Sequence, residues 1–65
     1  MKELDCFILK EDINPAIKAG MIGVILILYS KIDIEVEFVT PEGFNYEYNG
    51  QSTFTIKTGI IEIIK

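Results

Sequence analysis

From Gly20 to Gly43 the chain reads GMIGVILILYSKIDIEVEFVTPEG, an almost unbroken apolar run that turns into strict alternation of acidic and apolar residues. Side chains on a β-strand point to opposite faces with a period of two. The second half of this stretch therefore predicts a half-buried strand over 32–39, with Ile32, Ile34, Val36 and Phe38 on one face and Asp33, Glu35 and Glu37 on the other. The first half predicts a strand over about 22–29 that is apolar on both faces, Ile22, Val24, Leu26 and Leu28 against Ile25, Ile27 and Tyr29. In a small antiparallel protein one sheet face normally meets water, so the second apolar face needs a cover. Either the N-terminal segment or the C-terminal IIEIIK lies over it, or it is a protein interface.

The remaining elements are short. LDCFILK, residues 4–10, predicts a first strand, and Asn14-Pro15 breaks the chain after it, because a residue preceding proline is pushed out of the helical region. At most one helical turn fits between Pro15 and Ala19. Gly20 and Gly23 flank the start of the second strand, where a missing Cβ allows a positive φ or a close backbone approach. TPEG, residues 40–43, has the proline and glycine positions of a type I turn. FNYEY and QSTFTIK then predict a fourth and a fifth strand joined at Asn49-Gly50, a strong hairpin signal. A two-residue loop there sets Tyr48 opposite Gln51, whereas a three-residue loop over 49–51 sets Tyr46 opposite Phe54 and Phe44 opposite Ile56. We favour the three-residue loop because it gathers the large apolar groups on one face, and one residue of slip would reverse every side chain. Thr58-Gly59 breaks the chain again, and IIEIIK closes it as a helical turn, a strand, or one after the other. No repeat or linker divides residues 1–65, which are expected to form one small β-barrel domain.

Composition narrows the chemistry. Ten acidic residues stand against six lysines with no arginine or histidine, a formal charge of −4. Nucleic acid is accordingly disfavoured as a partner, since its affinity rests on basic groups that neutralise phosphates. One cysteine, Cys6, allows no internal disulfide and suits a reducing cytoplasm. The N-terminus alternates charged and apolar residues, unlike a signal peptide, and the apolar run from Ala19 to Tyr29 is far short of the roughly 20 residues of a bilayer span. With no histidine, no base near Ser30 or Ser52 and no cation beside Cys6, an activated nucleophile cannot be assembled, and a non-enzyme without cofactor is expected. Asp33, Glu35 and Glu37 lack the spaced oxygen ligands and glycine of a calcium loop, so no metal site is assigned.

Five short strands with tight turns suggest a small barrel, which removes exposed sheet edges. The pattern carried by Gly20, Gly23, Tyr29, Val36, Glu37, Phe38 and Gly43, over roughly residues 4–61, resembles the small bacterial proteins grouped as domain of unknown function 4926, a Src-homology-3-like group. Ribosomal and transcriptional modules of the KOW type share its glycine-led strand and hairpin. The resemblance implies an all-β, five-stranded barrel with at most one short helical turn, and little chemistry. FNYEYNGQS departs from it as an insertion-like hairpin.

Function is thereby reduced to binding. Asp33, Glu35 and Glu37, extended by Glu42 and Glu47, form either a solvated face that discourages aggregation or a landing surface for a basic partner. Tyr46 and Tyr48 are either core residues or interface anchors. The leading expectation is an acidic immunity or antitoxin-type protein that neutralises a basic toxin or effector, for example a nuclease. A KOW-like nucleic-acid or ribosome-associated module and a homo-oligomeric subunit are the alternatives.

Overall fold

The computed structural model describes residues 1–64; Lys65, the last residue of the closing IIEIIK, lies outside them. Five strands follow one another, β1 (Cys6–Leu9), β2 (Ile22–Leu28), β3 (Asp33–Val39), β4 (Phe54–Lys57) and β5 (Ile61–Ile63), with one 3-10 turn, Thr58–Ile60, between the last two. They form a single antiparallel sheet in the order β4-β3-β2-β1-β5. The two edge strands are consecutive in the chain. Flat, the edges of a five-stranded sheet would lie about 19 Å apart at the usual strand spacing, yet the 3-10 turn joining them spans only about 6–8 Å. The sheet must therefore curl, and it does so without a ladder between β4 and β5 among the described residues.

The concave side holds the core. Phe7 and Leu9 of β1, Ile25 of β2, Ile34, Val36 and Phe38 of β3, Phe54 and Ile56 of β4 and Ile61 of β5 are all buried there. Phe38 is central to it, meeting Phe7 edge-on at 5.7 Å between ring centroids and Phe54 at 5.9 Å. The β1–β2 connection contributes one more side chain. Asn14 Oδ1 accepts from the amides of Ala16 and Ile17, both at 2.9 Å, and this turn drives Ile17 fully into the core. Pro15 to Ala19 forms no helix.

Two glycines at the entry to β2 do different things. Gly20 takes a φ of +96° in a turn that its neighbours close. Gly23 lies under Phe7, where a Cβ would come within 2.3 Å of Phe7 Cζ and 2.8 Å of the Glu37 carbonyl oxygen. The close approach of β1, β2 and β3 at this point requires glycine.

The region after β3 departs from expectation. FNYEY is not a strand of the sheet; it makes only isolated bridges, Val39 with Asn45 and Tyr48 with Gln51. The loop at Asn49-Gly50 has two residues, not three: Tyr48 and Gln51 exchange both amide hydrogen bonds at 2.9 Å, and Asn49 and Gly50 both have positive φ, as a type I′ turn requires. Phe54 and Ile56 accordingly pair with Val36 and Ile34 of β3 rather than with Tyr46 and Phe44. Packing on β3 decided the register, and it leaves Phe44 exposed. The fifth strand is supplied instead by the closing segment, which is a 3-10 turn followed by β5. Ile32 also leaves its expected face, because Ser30 Oγ accepts from the amides of Ile32 and Asp33 and holds Ile32 in an exposed turn.

Candidate functional site

Directly paired residues share a sheet face, so the register maps the convex side. β3 presents Asp33, Glu35, Glu37 and Val39; β2 presents Ile27 opposite Glu35, Val24 opposite Glu37 and Ile22 opposite Val39. Beyond them, β1 places Cys6 beside Val24 and Ile8 beside Ile22, and β5 places Glu62 beside Ile8. The result is an apolar strip over the middle of the convex face with carboxylates along both flanks. Ile8, Ile22 and Ile27 remain 36–43% exposed on it.

A β-bulge in β2 creates this arrangement. The register shifts between Ile25 and Ile27, and the extra residue, Leu26, lets two side chains of the same parity face opposite ways. Ile25 enters the core while Ile27 faces solvent. Neither described terminus covers the strip. The N-terminal segment runs edge-on beside β2, with the Leu4 amide donating to the Ile25 carbonyl at 2.7 Å and the Ile25 amide to Asp5 at 3.0 Å. The C-terminal segment pairs edge-on with β1.

The carboxylates are individually tethered. Asp33 forms an ion pair with Lys57 of β4, Glu35 Oε1 accepts from Thr55 Oγ1 at 2.5 Å and, weakly, from the Tyr29 hydroxyl at 3.4 Å, and Glu37 Oε2 accepts from Asn45 Nδ2 at 3.0 Å. Asp33 is thus paired with a cation, in an exposed contact worth at most about 1 kcal/mol, whereas Glu35 and Glu37 have only uncharged partners among the described residues.

The other sequence-selected residues lie elsewhere. Glu42 is exposed in the Thr40–Gly43 turn and Glu47 is exposed in the excursion that follows it. Tyr46 and Tyr48 are half-buried and pack against the concave core, Tyr46 through an amide that donates to Phe38 O at 2.9 Å. The acids of β3 thus point away from the core that the two tyrosines pack against, and Tyr46 approaches the convex side only at the end of β3, near Val39. Cys6 and Ile8 complete the convex strip without having been singled out for it; the doubly apolar pattern of β2 signalled its existence and named Ile22, but only the bulge and the β1 register fix its members.

Among the described residues no three Asp, Glu or Cys side chains converge as a metal site would need, and no helix is long and apolar enough to cross a membrane. Comparison with protein families, with curated proteins and with solved structures finds no match.

Proposed function

We propose that this protein is a non-catalytic binding module whose convex face docks a basic protein partner, in the manner of an immunity or antitoxin protein that occludes a basic toxin or effector. The observation that supports this reading is the uncovered apolar strip of β1 and β2, lying between Glu35 and Glu37 on one side and Glu62 on the other. Contiguous exposed apolar surface rimmed by polar groups marks interaction sites in soluble proteins. Like charges on the flanks steer an oppositely charged partner and raise its association rate, while the apolar centre supplies the contact that holds it. The net charge of −4 acts in the same direction. Against pairing with a second copy stands the same electrostatics, since two faces flanked by carboxylates repel each other.

The test is to recover the partner on immobilised protein from host extract and to compare its kinetics on two variants. Glu35→Gln with Glu37→Gln is expected to slow association and flatten its salt dependence; Asp33 is left in place because Lys57 already matches its charge. Ile22→Lys with Ile27→Lys is expected to abolish capture with the circular dichroism spectrum unchanged. Association indifferent to both pairs would end this reading, as would a wild-type dimer in sedimentation equilibrium that the two lysines dissociate.

A further inference from the structure

We infer that the depression where β2 begins and β3 ends is an anchor pocket for one bulky apolar side chain of the basic partner. This inference rests on the docking reading above and adds to it the place and chemistry of the central contact. The depression has a volume of about 410 Å³ and is walled by Met21, Ile22, Val39, Pro41 and Tyr46, with Gly20 and Thr40 at its corners. That volume lies at the lower end of the roughly 300–1,000 Å³ of ligand sites, ample for a leucine, methionine or phenylalanine side chain. Ile22 and Val39 belong to both the depression and the convex strip. A group seated in the one therefore continues onto the other.

The walls are held in advance. The Gly20 amide donates to Leu9 O at 2.7 Å and the Met21 amide to Lys18 O at 3.2 Å; across the gap, Gly43 donates to Thr40 O at 2.9 Å, Thr40 to Phe44 O at 2.7 Å, and Tyr46 to Phe38 O at 2.9 Å. A site fixed before binding loses less ordering entropy when it is filled. Charge selects the occupant. Along β3, Glu37 stands two residues from Val39, about 7 Å at the strand rise, with its carboxylate held by Asn45. A lysine or arginine two positions from the anchor in an extended segment reaches it. A second depression of similar size, about 420 Å³, opens beyond the far end of β2, but Lys31 and Ser30 line it with Leu28 and Met1, and a lysine there repels a basic segment.

The experiment is an amide NMR titration of the wild-type protein with blocked five-residue peptides. The probe has leucine at its centre, serine on each side and lysine at both ends; one control replaces the leucine by serine, the other replaces both lysines by glutamate. The expected result is that the probe shifts the amides of Met21, Ile22, Val39, Thr40 and Tyr46 at millimolar concentration. The serine-centred control should bind about tenfold more weakly, as the loss of one buried leucine implies, and the glutamate-ended control at least about threefold more weakly. Shifts confined to Cys6, Val24 and Ile27 would overturn the pocket while leaving the docking face standing. Equal response to lysine-ended and glutamate-ended peptides would overturn the basic occupant, and shifts at Leu28 and Lys31, or none at all, would overturn the inference outright.

Discussion

The two seven-residue strands at the centre of the sheet are neighbours with the same length and opposite compositions. β3 spends its inward positions on Ile34, Val36 and Phe38, all fully buried, and three of its four outward positions on acids, each tethered to another side chain. β2 contributes only Gly23 and Ile25 to the buried interior and carries Ile22, Val24 and Ile27 outward, where they stay half-buried or exposed. Burying a side chain such as Ile34 removes its apolar surface from water and is worth about 1.5–3 kcal/mol; leaving Ile27 43% exposed forfeits a large part of that. β3 is composed for folding; the outer half of β2 is the surface proposed above for docking.

Substitution should separate the two strands sharply. Ile34→Ala removes a fully buried side chain and is expected to cost about 3–4 kcal/mol, a large share of the roughly 3–10 kcal/mol typical of a chain this size. Urea denaturation reads the loss as a lower midpoint. Gly23→Ala should follow at about 2–3 kcal/mol, the upper range for overpacking, because the new Cβ meets the buried ring of Phe7 on one side and backbone on the other; a loss below about 1 kcal/mol would mean that β1 and β3 can move apart there. A smaller effect of opposite sign is expected at the edge of the bulge. Leu4 holds a φ of +70° with its side chain 75% exposed, a left-handed conformation that costs a leucine about 1–2 kcal/mol. Leu4→Asn should raise stability by about 0.5–1 kcal/mol, since asparagine tolerates that region; no gain in the thermal midpoint would show the turn to be unstrained.

Local rules explain what was legible. Alternation from Ile32 to Val39 placed three of its four inward residues in the core, Ile32 being the exception, the two glycines marked positions that need a positive φ or a close approach without saying which took which, and the all-β class with at most one short helical turn followed from punctuation alone. The failures share one cause, competition between a local preference and the sheet. FNYEY has a strand's alternation, yet β3 already offered its edge to Phe54 and Ile56, so the tyrosines fold onto the core from an excursion instead. The three-residue hairpin loop failed because it was favoured for gathering Phe44, Tyr46, Phe54 and Ile56 on one face, whereas Phe54 and Ile56 pair with β3 instead. On β2 the sequence shows two apolar faces but cannot show the bulge at Leu26, which is where parity changes and Ile27 joins the outer face. The acids of β3 and Tyr46 looked like one surface because FNYEY read as a strand; Tyr46 instead packs on the core from the excursion and meets the convex strip only at the depression it walls with Ile22 and Val39.

The most direct measurement is the thermal midpoint of the double variant Ile22→Thr, Ile27→Thr, which keeps β-branched side chains and strand propensity while making the outer strip polar. If the strip serves binding, the midpoint should fall by less than about 5 °C, corresponding to no more than about 1 kcal/mol in a domain of this size. A fall of about 15 °C or more would show that the outer face of β2 holds the fold together, and would contradict the account.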